Sequence, residues 1–381
     1  MNNKVKFVAD NKIPFLKGVL EPYADIQYLN PKDITHDVIK DKDALIIRTR
    51  TNCNSELLQE TKIKFIATAT IGFDHIDTAY CKRNNIKWIN APGCNSSSVM
   101  QYIASVLLTI SSRKKINIAD LTIGIVGVGN VGSKVERLAK IFGMNVLLND
   151  PPRARKEGNE RFVDLEELIS KSDIITFHVP LIKEGEDKTH HMADKNFFNK
   201  FNNSKIVINT SRGQVIETGA IKNAIKEKAV NASVLDVWEN EPNIDMELLK
   251  MVDIATPHIA GYSADGKANG TSVCVKNISS FFGLNIDKDW YPQELPKPGN
   301  SSEIFIDCKD HLNQEIFYKA VVSSYDIMKD DGILRNSVET FEKQRGNYPV
   351  RREFPFYRIK TQNCNIEIEN KLKKLGFQVN T

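Results

Sequence analysis

The stretch Ile123-Gly124-Ile125-Val126-Gly127-Val128-Gly129-Asn130-Val131-Gly132 decides how the rest of the chain is interpreted. An apolar, β-branched run leads directly into a G-x-G-x-x-G turn, and a helical pattern follows from Val131 to Phe142. A second apolar run then ends on Asn149-Asp150. Strand, glycine turn, helix, strand and terminal acid are the parts of a dinucleotide-binding βαβ unit.

Each residue type in this unit has a physical task. Gly127 allows the tight turn, Gly129 lets a pyrophosphate approach the backbone, and Gly132 lets the helix pack on the strand. The helix N-terminus offers free N–H groups and a favourable dipole to the phosphates. Asp150 is expected to accept hydrogen bonds from the ribose hydroxyls and to repel a 2′-phosphate, which favours NAD over NADP. A glycine turn with no cofactor is the alternative reading.

Length and composition exclude several classes of protein. A chain of 381 residues predicts two or three domains, and its 41% apolar and 26% charged residues are ordinary for a globular protein. The net charge of +4 is spread along the chain, so we expect no nucleic-acid partner. The first ten residues resemble a strand rather than a signal peptide, and no apolar run reaches the roughly 18 residues of a membrane span.

The six cysteines are scattered, with no C-x-x-C pair and no spacing typical of metal ligands. We therefore expect no metal site, and we expect reduced thiols that act as small apolar side chains in a cytoplasmic enzyme.

Short apolar runs alternate with helical patterns on both sides of the glycine motif, which predicts parallel sheets covered by helices. The expected strands before the motif are Val5–Ala9, Ile26–Leu29, Ala44–Ile47, Phe65–Thr68 and Ile86–Ile89. The expected strands after it are Ile174–Phe177, Ile206–Asn209, Val234–Asp236 and Ile254–Thr256.

A linker rich in proline, glycine and serine, residues 292–302, precedes a tail with its own pattern. We expect the tail to pack on the body or on a second subunit, since so small a fold is marginal alone. Its expected elements are a strand at Ile304–Ile306, a helix from Ile316 to Met328, a strand near Tyr357–Ile359 and a helix near Ile366–Leu375.

Three chemically useful side chains follow strands of the second group. In parallel sheets ligands bind beyond the carboxyl ends of the strands, and Arg212, Glu241 and His258 all fall at that edge. Histidine can take the hydroxyl proton as a hydride leaves a secondary alcohol, and a glutamate partner would orient its ring. The planar fork of arginine matches a substrate carboxylate. The set therefore predicts oxidation of a 2-hydroxy acid.

The segments that hold these residues also resemble the signatures of the D-isomer-specific 2-hydroxyacid dehydrogenases. They are Asn209–Gly213, Leu235–Pro242 and Pro257–Gly261, in matching order behind the glycine motif. The resemblance covers about residues 5–285. It implies Arg212 as the carboxylate clamp, Glu241 as the partner of the histidine and His258 as the acid/base.

The fold implied is α/β, with two doubly wound parallel-sheet domains and a small C-terminal α+β domain. A flavodoxin-like substrate domain takes residues 1–94, completed by 259–290, and a hinge lets it close over the cleft. A Rossmann NAD domain takes residues 95–258. The predicted cofactor contacts are Gly127, Gly129, Asn130, Val131, Gly132, Asp150, Val179, Asp236 and Gly261.

Further stretches resemble one branch of the family, whose members oxidise 4-phospho-D-erythronate to 2-oxo-3-hydroxy-4-phosphobutanoate with NAD in pyridoxal 5′-phosphate biosynthesis. They are Ala67–Asp77, Asn149–Arg153 and the run from Ala260 to Lys267. Thr70 stands where many relatives have glycine. The resemblance implies substrate contacts from Thr49, Thr70 and Tyr262, and it implies that residues 291–381 form a dimerisation domain of a homodimer.

Several points stay open from sequence. Arg48, Arg50, Arg351 or Arg352 could bind the substrate phosphate, or each could be an ordinary surface charge. A phosphoglycerate or other D-2-hydroxyacid dehydrogenase is an alternative, as is a non-catalytic NAD-sensing binding protein of the same fold.

Other candidates are read as structural. His178 is given no chemical role, and the adjacent pair His190-His191 lacks a third metal ligand nearby. Glu239 could be mistaken for Glu241, but the Glu-Pro pairing favours Glu241.

Overall fold

Parallel strands alternate with helices through most of the computed structural model, which describes residues 4–380. The fourteen strands are β1 (Val5–Asp10), β2 (Ala24–Leu29), β3 (Ala44–Ile47), β4 (Phe65–Thr68), β5 (Lys87–Ile89), β6 (Thr122–Val126), β7 (Asn145–Asn149), β8 (Ile174–Phe177), β9 (Lys205–Asn209), β10 (Val230–Leu235), β11 (Ile254–Ala255), β12 (Glu303–Asp307), β13 (Arg358–Gln362) and β14 (Gln378–Asn380).

The described residues also form fifteen α-helices. They are α1 (His36–Ile39), α2 (Ser55–Leu58), α3 (Thr78–Arg83), α4 (Ser96–Lys114), α5 (Asn130–Phe142), α6 (Pro151–Glu157), α7 (Leu165–Lys171), α8 (Lys195–Asn199), α9 (Thr218–Lys226), α10 (Met246–Met251), α11 (Ala264–Phe282), α12 (Asn313–Ser324), α13 (Ile327–Asn336), α14 (Phe341–Gly346) and α15 (Ile366–Leu375). Short 3₁₀ turns lie at Pro31–Asp33, Ile118–Asp120, Gly213–Val215, Val338–Thr340 and Phe354–Phe356. No helix in this part of the chain is long and apolar enough to cross a membrane.

The chain divides into two compact units. The first contains the residues up to Asn95 together with Ser263–Pro296, and the second contains Ser96–Tyr262 together with the residues from Lys297 onward. The division itself assigns no role to either unit, so the substrate, NAD and dimerisation roles predicted for the three segments stay predictions.

A five-stranded parallel sheet forms the centre of the first unit, in the order β2-β1-β3-β4-β5. This is the flavodoxin-like order expected for a doubly wound sheet. Helix α11 returns to this sheet late in the chain, and the ring of Phe282 lies 5.1 Å from that of Phe7. The apolar runs of β3 and β4 are buried throughout, as a sheet covered on both faces requires.

A six-stranded parallel sheet forms the centre of the second unit, in the order β11-β10-β9-β8-β6-β7. The chain leaves β6 to form β7 on one side and later returns to form β8 on the other. This reversal is the topological switch point at which doubly wound sheets bind dinucleotides. The glycine motif lies there, between β6 and α5.

The tail belongs to the same compact unit as the six-stranded sheet. Its own sheet is parallel, in the order β12-β13-β14. The ring of Phe317 on α12 lies 5.4 Å from that of Phe142 on α5, and Asp331 on α13 accepts the backbone N–H of Ala255 on β11 at 2.7 Å. Apolar and polar contacts thus both join the tail to the six-stranded sheet and its helices.

Two local expectations for the chain were wrong, and one strand was not expected. The helix expected from Ile316 to Met328 is broken, because Asp326 leaves the helical conformation and caps α13 by accepting the N–H of Met328. Strand β14 was not predicted, since three residues give too short a pattern to read. The thiol expectation fails for Cys308 and Cys364, which form a disulfide with a Cα–Cα distance of 4.9 Å.

The disulfide follows from strand pairing rather than from spacing. Because β12 and β13 pair in parallel, Cys308 donates its backbone N–H to Gln362 at 2.9 Å. That register places Cys308 beside Cys364 across 56 residues of sequence. Cys53, Cys81, Cys94 and Cys274 are free thiols, and Cys94 alone of these four is partly exposed.

Candidate active site

The three predicted catalytic side chains follow successive strands of the second unit. Arg212 comes after β9, Glu241 after β10 and His258 after β11. Since β9, β10 and β11 are parallel neighbours, their carboxyl ends lie at one edge of the sheet.

His258 and Glu241 form a direct pair. Nδ1 of His258 lies 2.8 Å from Oε2 of Glu241, and the two side chains are 31% and 18% exposed. Because a carboxylate can only accept, Nδ1 carries the proton and Nε2 is left to accept one from another molecule. The other Glu241 oxygen accepts the backbone N–H of Trp238 at 2.9 Å, so both oxygens are engaged.

The electrostatic surroundings keep Glu241 ionised. Burial alone would raise the pKa of this carboxyl, but the hydrogen bond and charge of His258 and the charge of Arg345 hold it below its usual value. An ionised partner fixes the ring orientation and stabilises the imidazolium that forms when the histidine takes a proton.

A buried aspartate supports the turn that holds His258. His258 has a φ of 56°, a left-handed conformation that is uncommon for residues other than glycine. Asp236 accepts the backbone N–H of Ile259 at 2.7 Å and that of Ala260 at 2.9 Å. It also accepts the hydroxyl of Thr256 at 2.7 Å. Burial raises the pKa of Asp236, and the charge of His258 and these hydrogen bonds oppose that rise.

Arg212 is presented by a tight loop after β9. Asn209 donates its amide to the carbonyl of Arg212 at 2.9 Å and accepts the backbone N–H of Ser211 at 3.0 Å. The next residue, Gly213, lies so close to Trp238 that a Cβ would meet its carbonyl at 2.0 Å. The loop that carries the arginine is therefore packed against the loop that carries Glu241.

The glycine loop has the shape that a dinucleotide requires. Gly127 has a φ of +87°, and a Cβ there would meet the carbonyl oxygen of His178 at 2.7 Å and a methyl of Val179 at 2.7 Å. A Cβ on Gly132 would lie 2.0 Å from the Gly127 oxygen, whereas a Cβ on Gly129 would have nothing within 4 Å. Gly129 thus faces open space at the N-terminus of α5, where a pyrophosphate would approach. These residues fit the cofactor.

Asp150 has a second task besides the one expected. Its carboxylate accepts the N–H of Val128 in the glycine loop at 2.8 Å and that of Arg153 at 3.0 Å, which caps α6. The acid therefore ties the end of β7 to the glycine loop.

The predicted substrate residues of the first unit follow β3 and β4. Thr49 is exposed in the loop after β3 between Arg48 and Arg50. Thr70 follows β4, and its hydroxyl shares a hydrogen bond with that of Thr68 at 2.8 Å and donates to the carbonyl of Gly72 at 3.0 Å. These side chains lie at the carboxyl edge of the five-stranded sheet.

The side chains read as structural all have partners inside the second unit. Nε2 of His178 lies 3.0 Å from the Thr176 hydroxyl, and burial lowers the pKa of this ring to about 3. His191 pairs with Glu239 at 2.6 Å, and its ring stacks on that of His190 at 4.0 Å. Within residues 4–380 no cluster of three or more His, Cys, Asp or Glu side chains could hold a metal ion.

Comparisons with known proteins agree with this geometry. Residues 107–260 match the family described as D-isomer specific 2-hydroxyacid dehydrogenase, NAD binding domain. A protein of Bacteroides thetaiotaomicron named erythronate-4-phosphate dehydrogenase is 52% identical over 356 residues, which cover 93% of this chain and 99% of that relative. This chain belongs to the D-isomer specific 2-hydroxyacid dehydrogenase family. NAD is therefore its cofactor.

Two further comparisons extend the relation. A Proteus mirabilis protein with the same name is 37% identical over 368 residues, 94% of this chain and 96% of its own. The structure of Aquifex aeolicus D-lactate dehydrogenase complexed with NAD and lactic acid matches with a TM-score of 0.62 and 26% identity, over 74% of this chain and 97% of that chain. Residues 301–376, in the tail, match a domain family of unknown function, DUF3410.

The tail of this dehydrogenase reaches the loops that hold the predicted catalytic residues, a contact that sequence reasoning missed. Arg345 on α14 is 21% exposed, pairs with Glu342 at 2.8 Å, and carries the charge that acts on Glu241 and Tyr262. The ring of Tyr348 meets that of Tyr262 edge-on, with centroids 5.8 Å apart. The signal in the sequence was the nearby stretch Asn347–Glu353, which resembles the same branch of the family but does not indicate a contact with these loops.

The four arginines considered for the phosphate differ in exposure. Arg351 is only 5% exposed and donates to backbone carbonyls, so it is not open to a substrate phosphate. The guanidinium of Arg352 lies over the ring of Phe356 at 4.4 Å. Arg50 is exposed, and Arg48 is half-buried with a long contact to the carbonyl of Lys12 at 3.4 Å.

Proposed function

We propose that this chain oxidises the 2-hydroxyl of 4-phospho-D-erythronate and thereby acts as an erythronate-4-phosphate dehydrogenase of pyridoxal 5′-phosphate biosynthesis. The products are 2-oxo-3-hydroxy-4-phosphobutanoate, NADH and a proton. The observation that carries the proposal is the His258–Glu241 pair, with Nε2 of the histidine left to accept a proton, in a chain 52% identical to a relative of that name.

The residues of the second unit divide the work. The glycine loop at Gly127, Gly129 and Gly132 would hold NAD, which would supply the acceptor for the hydride that leaves C2 of the substrate. Nε2 of His258 takes the hydroxyl proton, and Glu241 stabilises the imidazolium that results. The guanidinium of Arg212 binds the substrate carboxylate and polarises the developing carbonyl. Asp236 holds the turn that presents His258.

Substrate contacts from Thr49, Thr70 and Tyr262 are also part of the proposal. Their hydroxyls suit the polar carbon chain of a sugar acid. Arg48 and Arg50 are the arginines that we propose for the phosphate, since both lie beside Thr49 and the burial of Arg351 removes it from the choice. An arginine fork matches a phosphate well.

We also propose that the enzyme works in the cytoplasm as a homodimer joined through its tail. Of the nine large apolar side chains that are exposed among the described residues, five lie in the tail. They are Phe305, Leu312, Ile333, Val350 and Ile366. Large exposed apolar side chains are thus more frequent in the tail than in the rest of the described chain, and exposed apolar surface that forms one patch is typical of an interface. Sedimentation equilibrium of the chain would contradict the proposal if it gave the mass of one copy at micromolar concentration.

The test of function is NADH formation with 4-phosphoerythronate, 3-phosphoglycerate and unphosphorylated D-2-hydroxy acids. A 2-oxo acid is included to recycle bound cofactor. Strong preference for 4-phosphoerythronate is expected. Preference for another acid would support the dehydrogenase activity but contradict the proposed substrate. Bound NAD with no turnover on any acid would favour an NAD-sensing binding protein instead.

The His258→Ala variant supplies the control for this test. It is expected to lose nearly all turnover while it keeps its affinity for NAD. An unchanged rate in this variant would contradict the role given to the histidine.

A further inference from the structure

The backbone at His258 needs support from its surroundings. Its φ of 56° is a sparsely populated conformation, which persists only where neighbouring contacts enforce it. One set of contacts comes from the sheet, where Asp236 accepts the N–H groups of Ile259 and Ala260. These bonds hold the amide side of the turn.

The carbonyl side of the same turn is held from the tail. Arg351, between α14 and β13, donates Nη2 to the carbonyl of Ala260 at 2.5 Å and makes a longer contact to the carbonyl of Ser98 at 3.4 Å. Ala260 is thus bound through its N–H by Asp236 and through its carbonyl by Arg351. The two contacts come from the two separate segments of the second unit, Asp236 from the first segment and Arg351 from the tail.

The surroundings of Arg351 fix the guanidinium in place. Its central carbon lies 4.4 Å from the centroid of the Tyr325 ring and 6.0 Å from that of Tyr348. Both tyrosine hydroxyls donate to the same oxygen of Asp330, at 2.8 and 2.7 Å. A cation held over aromatic rings and excluded from water is a rigid donor. Burying such a cation also carries a large desolvation cost, which the contacts of the guanidinium must offset.

Charged groups face Arg351 from each side. Asp330 lies on α13, and Glu353 accepts the hydroxyl of Ser98 on α4 at 2.8 Å. Burial raises the pKa of Asp330, and its hydrogen bonds from the two tyrosines and the charge of Arg351 oppose that rise. Asp330 and Glu353 thus act on Arg351 through their charges, and its Nε and Nη1 make no hydrogen bond within the described residues.

We propose that Arg351 is a positioning residue, which clamps the Ala260 carbonyl so that the turn keeps His258 in hydrogen-bond contact with Glu241. The tail of this chain is then required for catalysis, and not only for association. This inference rests on the proposed dehydrogenase function. It gives the buried arginine a role that differs from phosphate binding.

The test compares Arg351→Met and Arg351→Lys with two controls. Arg358→Met removes an exposed tail arginine that bonds Gln378 at 3.0 Å. Thr361→Val removes a hydroxyl bond to the buried carboxyl of Glu369 at 2.8 Å, which weakens the tail without removing any contact of Arg351 or Ala260. The readouts are kcat, KM, NAD affinity, thermal midpoint, and the low-field proton signal of His258 Nδ1, assigned by its absence in His258→Gln.

We expect Arg351→Met to lower kcat by about 100-fold, as a small displacement of a catalytic group does, while NAD affinity stays within about twofold. The His258 signal should broaden or disappear in that variant. Arg351→Lys should recover part of kcat, since its ammonium can still donate to a carbonyl. Thr361→Val should lower the thermal midpoint, Arg358→Met should leave it nearly unchanged, and both variants should keep kcat and the proton signal.

A kcat for Arg351→Met that stays within about threefold of the parent would overturn the proposal, because so small a change corresponds to under 1 kcal/mol. An equal loss of kcat in Thr361→Val would also overturn it, since that result would show a general weakening of the tail. If Arg351→Met does not fold, Arg351→Gln, whose shorter side chain does not reach the Ala260 carbonyl, is measured instead, and the same threefold limit on kcat applies to it. If no substrate is turned over, the proposed function fails, and the His258 proton signal still tests the clamp.

Discussion

Replacing Glu241 by glutamine tests the catalytic pair most directly, because both of its carboxylate oxygens already accept hydrogen bonds. One takes the Nδ1–H of His258 at 2.8 Å and the other takes the N–H of Trp238 at 2.9 Å. An amide has one oxygen and one NH₂ group, so it can satisfy only one of these two donors.

Either orientation of the glutamine is costly. If its oxygen accepts from His258, its NH₂ group faces the N–H of Trp238, and a buried donor is left unsatisfied. If its oxygen accepts from Trp238, its NH₂ group donates to Nδ1, and the ring proton moves to Nε2, where it blocks proton transfer from substrate. A lost hydrogen bond to a charged group or an unsatisfied buried donor costs about 1–3 kcal/mol. The expected fall in kcat/KM is therefore about 5- to 150-fold.

The matched control is Glu239→Gln. Glu239 belongs to the same loop and also pairs with a histidine, His191, at 2.6 Å. We expect this variant to keep kcat/KM within about threefold, because substitutions away from the chemistry change free energies little. The assay is initial-rate NADH formation with 4-phosphoerythronate, beside NAD affinity and thermal midpoint. A larger loss of kcat/KM in Glu239→Gln than in Glu241→Gln would refute the assignment of Glu241 as the partner of His258. A Glu241→Gln variant with the parental kcat/KM would refute it as well.

Two further predictions concern the glycine loop and pH. Gly132→Ala should weaken NAD binding and lower the thermal midpoint, since its Cβ would lie 2.0 Å from the Gly127 oxygen. Gly129→Ala should weaken NAD binding and leave the thermal midpoint unchanged, because a Cβ there meets nothing within 4 Å. Equal losses of thermal midpoint in the two variants would contradict this prediction. The pKa of His178 is about 3 in the folded chain, whereas its ordinary value is 6.5. Between pH 3 and pH 6.5 the His178 ring is therefore protonated in the unfolded state and neutral in the folded state. The free energy of unfolding should fall as pH drops below 6.5, by up to about 1.4 kcal/mol per pH unit from this group. Urea unfolding of His178→Asn from pH 7 to pH 4 should show a shallower fall, and an identical slope would contradict the reading.

Local sequence determined the two doubly wound sheets and the place of the site within them. The strands Ala44–Ile47, Phe65–Thr68 and Ile174–Phe177 have the predicted bounds, because a buried parallel strand is a continuous apolar run that ends where its burial ends. The glycine motif and the residues after β9, β10 and β11 follow from the same rule. Parallel strands bring their carboxyl ends together, so Arg212, Glu241 and His258 could be placed at one edge without coordinates.

What the tail does at the site was decided by tertiary structure alone. Nothing in the residues around Arg351 indicates that its guanidinium is buried and reaches Ala260, 91 positions away. The pairing of Cys308 with Cys364 likewise depends on the register of β12 against β13. Hydrophobic periodicity predicts which face of a helix or strand is buried, because the pattern repeats along the chain. The hydrogen-bond partner of a single polar side chain has no repeating pattern, since that partner depends on which elements pack together.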